Sequence, residues 1–279
     1  MDFLTGRTQR VRLGFISSSI IVIDIGAPQG CVLSAFLFII YTNALRTLFP
    51  SCRVLKYADD TVIIGLITND DESEYRSQIS HTSDWCNQHN LLLNVNKTKE
   101  LLFDFRRNRP DPQPILIDNS PVDICKTVKY LGVTFDNELS WSEHISSVVS
   151  KCQQRLYFLR LLNTFQISQP ILHRFYVSYI QSVMTYNFAL WWNSALDKDK
   201  AKLIRVCRHA RKVVKSELNN LDTMYIDLVR KKSLSIMENV CAKCGTAGHE
   251  DLDCDKPARC VNCQGNHTDL SQKLSYMEK

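Results

Sequence analysis

Residues 54–64 read Val-Leu-Lys-Tyr-Ala-Asp-Asp-Thr-Val-Ile-Ile, a short acidic tip held between two β-rich apolar runs. That pattern leaves few options. Strands that meet at Tyr57-Ala58-Asp59-Asp60 form a hairpin, although the Asn-Gly or Asp-Gly of the commonest tight turns is absent. Asp59 and Asp60 then share the tip, where adjacent carboxylates repel each other. Divalent metal ions remove that repulsion, and Mg²⁺ prefers hard oxygen ligands. Most isolated Asp-Asp pairs are solvated loop acids, so the flanking sequence decides between the two readings.

Upstream runs Gly26-Ala27-Pro28-Gln29-Gly30-Cys31-Val32-Leu33-Ser34, followed by an apolar segment from Phe36 to Leu45. Downstream lie Leu93-Asn94-Val95-Asn96-Lys97-Thr98-Lys99 and Lys129-Tyr130-Leu131-Gly132-Val133. In this order and at these spacings the motifs resemble the palm of reverse transcriptases from non-LTR (LINE-like) retrotransposons, from about Asp2 to Trp191-Trp192. The resemblance implies an α+β fold, a partial polymerase palm (antiparallel sheet with helices) followed by a helical thumb. It also implies an RNA-directed DNA polymerase by descent, acting on an RNA template and a DNA primer. Nucleotidyl transfer of that kind uses paired Mg²⁺ ions on the attacking and leaving oxygens.

The same resemblance distributes roles. Asp59 is the expected metal-ligating carboxylate, and Asp60 its less stringent neighbour. Gln29 and Gly30, with Tyr57, match the parts that meet template and incoming nucleotide. Lys97 matches a proton donor or charge stabiliser for the pyrophosphate leaving group. Tyr130, Leu131 and Gly132 match the hairpin that grips the primer end. Ala35 stands where the family usually has proline after the serine, a position where proline is only favourable. A larger departure is the family's further metal-binding aspartate, carried by a strand upstream of Gln29. Asp2 and Asp24 are the only acids before Gln29, and Asp24 lies too close to serve. The expectation is therefore a truncated polymerase domain, inactive by itself. The alternative is a non-enzymatic nucleic-acid- and zinc-binding protein derived from a retroelement, or a relic without function.

Domain organisation follows from periodicity and composition. The expected division is a partial palm over residues 1–138, a helical thumb-like region over 139–220, a linker over 221–240 and a zinc-knuckle tail over 241–279. An amphipathic helix is expected from Asp70 to His89, with Tyr75, Ile79, Thr82, Trp85 and Cys86 on one face. Leu101 to Phe105 reads as a strand, as do Ile115 to Ile117 and Val128 to Phe135. Ser140 with Glu143 reads as a capping box, opening a helix with the stripe Ile145, Val148, Cys152, Leu156 and Leu159. A second helix opens near Ser168-Gln169-Pro170 and carries Leu172, Phe175, Tyr176 and Tyr179. Between Asp197 and Glu217 stand eight Lys/Arg against three acids, a local excess of +5 in a chain whose formal net charge is also +5. A basic helix here suits contacts to a nucleic-acid backbone through Arg205, Arg208 and Arg211. The bland alternative is a solvated helix face.

Five of the eleven cysteines fall between Cys241 and Cys263. Cys241-x2-Cys244-x4-His249-x4-Cys254 has zinc-knuckle spacing, with glycines at Gly245 and Gly248, and three thiolates with one imidazole suit Zn²⁺. Cys260, Cys263 and His267 resemble a companion knuckle that lacks its fourth ligand. Such knuckles usually belong to a separate gag-like protein of the element. The remaining cysteines are scattered among apolar neighbours and read as small core residues. No run reaches the roughly 20 apolar residues a bilayer span needs, and the start of the chain has no secretory pattern. The expectation is a protein of the nucleus or cytoplasm, not secreted, with no membrane partner.

Overall fold

The computed structural model describes residues 6–23, 26, 30–107 and 111–238. The chain divides into two compact units, one of residues 1–100 and 108–125, the other of 101–107 and 126–279. Helices mixed with small sheets make the fold α+β. A continuous antiparallel palm sheet, as expected from the resemblance, is not formed among the described residues: each sheet is a two-stranded ladder. Most of the strands are only two to four residues long.

In the first unit, β1 (Arg7–Gln9) pairs with β4 (Ile21–Ile23), and β2 (Arg12–Leu13) pairs with β3 (Ile16–Ser17) inside it. An apolar helix follows, α1 (Val32–Thr42), which carries no charged residue in its first or last turn. Then come β5 (Cys52–Tyr57) and β6 (Asp60–Gly65), antiparallel, and α2 (Ser73–Gln88). Along α2, Ile79, Thr82, Trp85 and Cys86 are buried and Tyr75 is half-buried, the face that the periodicity implies. After a 3₁₀ turn at Val95–Lys97, β7 (Lys99–Glu100) pairs in parallel with the later β10 (Asp123–Ile124). Between them β8 (Leu116–Ile117) and β9 (Ser120–Pro121) make a hairpin. Leu101 to Phe105, expected as a strand, joins no ladder; the pairing stops at Glu100. Two small clusters form the core, Ile79 with Ile115, Ile117 and Val122, and Leu45 with Trp85 and Cys86.

The second unit opens with an antiparallel hairpin, β11 (Thr127–Tyr130) and β12 (Val133–Asp136). This hairpin sits in the helical unit, which resumes at Lys126. Helix α3 (Ser142–Thr164) buries Ile145, Val148, Cys152, Leu156 and Leu159 as the stripe predicts. Its start differs from the expected capping box. Trp141, not Ser140, is the N-cap residue, and its side chain makes no cap bond. Asp136 does the work from the preceding strand, accepting from the backbone N–H groups of Ser140 and Trp141. Helix α4 (Gln169–Phe175) runs into a π-helical turn at Tyr176–Gln181 and then α5 (Ser182–Met184). A π turn shifts hydrogen bonding to i→i+5, and Tyr179, expected on the buried face, is 48% exposed.

Two further helices, α6 (Phe188–Trp191) and α7 (Asp197–Val214), complete the main core with Leu172, Tyr176, Phe188, Trp191, Leu203 and Val206. Each such side chain contributes roughly 1.5–3 kcal/mol on full burial. At the N-terminus of α7 the buried Asp199 accepts from Ser142 Oγ at 2.6 Å and Lys202 Nζ at 2.7 Å, tying α7 to the start of α3. Burial pushes the Asp199 carboxyl up, but these two partners outweigh it and hold the group low. Residues 221–240, expected as a linker, are helical from Leu221 to Glu238 as α8, because Leu221 is buried in the core and Met224 and Tyr225 pack against it.

Candidate active site: the acidic hairpin tip

The β5–β6 hairpin closes in a two-residue turn. Tyr57 pairs with Asp60, leaving Ala58 and Asp59 at the apex. Ala58 has a φ of 52°, and Asp59 is not among the positive-φ residues. Only the first of the two central residues therefore has a left-handed φ. Glycine is favoured there, and alanine tolerates the geometry at a cost of about 1–2 kcal/mol. Both carboxylates are exposed, and neither side chain has a hydrogen bond or ion pair among the described residues.

The stem below this tip is held on one face. Cys52, Val54, Lys56, Thr61, Ile63 and Gly65 share that face by strand alternation. Val54 and Ile63 are directly opposite each other, and each packs against a cluster that includes residues of α2. Gly65 lies under the Tyr75 ring so closely that an added Cβ would stand 2.6 Å from Tyr75 Cδ2. Nearer the tip, Lys56 Nζ donates to the carbonyls of Thr42 at 2.6 Å and Leu45 at 2.9 Å, where α1 ends. A cation suits a helix C-terminus. Burial, with help from Arg46, lowers the Lys56 pKa. Sequence reasoning missed Lys56, although a lysine inside an apolar strand next to the acidic tip was a readable signal. The other face carries Leu55, Tyr57 and Asp60 toward solvent; Tyr57 is 64% exposed.

Lys97 closes the 3₁₀ turn at Val95–Lys97, where its backbone N–H donates to the Asn94 side chain at 3.2 Å, and its own side chain is exposed. Gly30 precedes α1 with a φ of 80° and open space around it. Gln29, Asp24 and Asp2 lie outside the described residues, as do Cys241, Cys244, His249, Cys254, Cys260, Cys263 and His267. Ala35 falls at the fourth position of α1, still within the first turn. Among the described residues no group of three or more His, Cys, Asp or Glu side chains is placed to hold a metal ion. Among the described residues, Asp59 and Asp60 are thus a pair of hard oxygen donors without a third.

Leu131 and Gly132 form the β11–β12 turn with φ of 45° and 83°, the two left-handed residues of a type I′ hairpin. Along α7 the buried residues Leu203, Val206, Ala210 and Val214 define the inner face. Lys198, Arg205 and Lys212 recur every seven residues on the opposite face, with Arg208 beside them. Arg211 is less available than expected, because its guanidinium pairs with Glu217. A cleft of about 280 Å³ opens between α7 and the start of α8, with Arg208, Arg211 and Asn219 in its lining. No helix among the described residues is long and apolar enough to cross a membrane.

Comparison with known proteins bears on both units. Residues 7–135 match the model of the family described as Reverse transcriptase (RNA-dependent DNA polymerase). Residues 141–182 match the model described as Alkylated DNA repair protein alkB homolog 8, N-terminal. The chain is 27% identical over 205 residues to the probable RNA-directed DNA polymerase from transposon BS of Drosophila melanogaster, covering 68% of this chain and 22% of that protein. It is 25% identical over 171 residues to the corresponding protein from the X-element of the same fly, covering 56% and 18%. With the RNA-directed DNA polymerase from mobile element jockey it shares 28% over 160 residues, covering 53% and 17%. The chain spans about a fifth of the length of the curated relatives it matches. No solved structure matches it. The Asp59-Asp60 tip lies inside the stretch that is similar to the reverse-transcriptase family.

Proposed function

We propose that the chain carries palm and thumb segments of a retrotransposon RNA-directed DNA polymerase, with Asp59 and Asp60 as inherited metal-ligating carboxylates. The observation that carries this reading is the tight turn at Ala58-Asp59. It presents two bare carboxylates at the end of a clamped hairpin, within the stretch that matches the reverse-transcriptase family. The donor set fits part of a Mg²⁺ site: hard, exposed oxygens with no competing cation attached. Asp59 and Asp60 would hold the ion, which supplies charge stabilisation for the attacking and leaving oxygens when bound. In this reading Lys97 faces the leaving pyrophosphate, and Tyr57, Gln29 and Gly30 meet template and incoming nucleotide. Tyr130, Leu131 and Gly132 contact the primer end, and the outer ridge of α7 follows the nucleic-acid backbone.

Asp59 and Asp60 by themselves are too few to hold two ions and a triphosphate, and in this reading the chain binds primer–template without turning nucleotides over. Primer extension on an RNA template with Mg²⁺ or Mn²⁺ tests this, and no incorporation is expected from the purified chain. Template-dependent incorporation that vanishes in Asp59→Ala would overturn the inactivity while keeping the chemistry at the hairpin tip.

A further inference from the structure

The Leu131-Gly132 turn is held from outside the hairpin. Tyr186, in the bend between α5 and α6, donates its hydroxyl to the Leu131 carbonyl at 2.8 Å. Its ring lies over Gly132, where an added Cβ would stand 3.3 Å from Tyr186 Cε1. The Tyr186 backbone is anchored in turn: its carbonyl accepts from Trp191 Nε1 at 3.0 Å. Trp191 is fully buried and meets the His144 ring edge-on, with centroids 5.3 Å apart. His144 Nδ1 accepts from the Thr134 backbone N–H of β12 at 3.3 Å. The contacts therefore leave the hairpin at Leu131, cross the core through Tyr186, Trp191 and His144, and return to the hairpin at Thr134. Tyr186 itself is 49% exposed, so filling the core does not account for its place.

The peptide between Leu131 and Gly132 is planar and trans, and its C=O and N–H point in opposite directions. With the carbonyl engaged by Tyr186, the Gly132 N–H faces away from it, at an exposed glycine with no partner among the described residues. Backbone N–H groups are ordinary donors to phosphate oxygens. We propose that Tyr186 is a positioning residue that orients the Leu131–Gly132 peptide so that the Gly132 N–H donates to a phosphate at the primer end. The inference rests on the proposed reading of this hairpin as the element that contacts the primer end.

The test uses the full chain and the variant Tyr186→Phe, which keeps the ring and loses the hydroxyl. Two quantities are measured. One is the affinity for a duplex with a recessed 3′ end against a blunt duplex of equal length. The other is hydrogen exchange of the Val133 amide, next to the turn. Wild type is expected to prefer the recessed end, and Tyr186→Phe to lose several-fold of that preference with an unchanged salt dependence. Exchange at Val133 should quicken by roughly three- to tenfold, the scale of one lost hydrogen bond. Tyr186→Ala should lose more of both; if it unfolds, the phenylalanine variant carries the test. A preference retained in Tyr186→Phe, or unchanged exchange at Val133, overturns the role of Tyr186 alone. No preference in wild type overturns the reading of the hairpin, and this assignment with it.

Discussion

Asp136 accepts from the backbone N–H groups of Glu138, Ser140 and Trp141 and from the Ser140 hydroxyl, all between 2.9 and 3.1 Å. The segment it holds contains Leu139 and Trp141 at φ of 53° and 63°. Bulky residues in that region cost about 1–2 kcal/mol each, so the carboxylate stabilises a strained entry into α3. Asp136→Ala should lower the unfolding free energy by about 1–3 kcal/mol, and Ser140→Ala by less, as read from urea unfolding. Burial pushes the Asp136 carboxyl up, but the bonds from Ser140, Glu138 and Trp141 outweigh it and leave the pKa below the usual range. Its stabilisation is therefore present above the ordinary carboxylate pKa of about 4 and fades as pH falls through the lower folded value. The gap between wild type and Asp136→Ala should close in acid, and a gap that persists there would assign the effect to packing. Ser140 and Glu143 had the letters of a capping box. What the letters did not carry is the left-handed Trp141, which turns the chain so that Asp136 meets those amides first.

At the scale of elements, helices were more legible than strands. The stripes on α2 and α3 repeat over several turns, so each adds its own confirmation. The strands are mostly too short for alternation to register, and the parallel pairing of β7 with β10 joins residues 24 apart in sequence. The acidic hairpin is the exception, because two six-residue strands flank a tip with no room for any other connection. For α7, composition showed a positive surplus but not which charges were already engaged. Lys202 pairs with the buried Asp199, and Arg211 with Glu217. Arg205 has no ion-pair or hydrogen-bond partner among the described residues and lies on the outer ridge. Arg205→Gln should therefore weaken duplex binding and flatten its salt dependence by about one counterion, whereas Arg211→Gln should change both less. Equal effects, measured by titration at several salt concentrations, would remove the ridge from the interface.

Across the whole molecule the two units differ in how they are held. The second has one large core with Trp141, Trp191 and Trp192 in it, while the first relies on two small clusters. Many apolar side chains of the first unit stand in solvent, among them Phe15 at 103% and Leu13 at 79% exposure on the β2–β3 hairpin, and Val32 at 89% on α1. Core burial sets the free energy of local opening. Amides of β5 and β6 should exchange through a lower-energy opening than those of α3 between Ile145 and Leu159. Native-state hydrogen exchange at rising denaturant would show it, and coincident openings in both stretches would contradict it. The order of the motifs was readable from the residues, and the α+β class followed from the resemblance those motifs carry. The contact of the β11–β12 turn with Tyr186 was not readable, because the two lie 55 residues apart in the chain.

The wide turn at Tyr176–Gln181 bears on how this chain is laid beside its relatives. Leu172, Tyr176, Ile180, Met184, Phe188 and Trp192 recur every fourth residue, and each is 2% exposed or less. An ordinary helix drifts by about 40° at every such step and would carry the later members off the core. The i→i+5 turn takes up that drift between Tyr176 and Ile180, and the bend at 185–187 resets the direction before Phe188 and Trp192. Take one residue out between Tyr176 and Ile180, and the step across the turn becomes the three residues that a regular helix also keeps on one face. A relative with a regular helix here therefore aligns only with a one-residue gap inside this turn. A gap opened anywhere later would set Tyr186 and Trp191 against the wrong partners in every comparison.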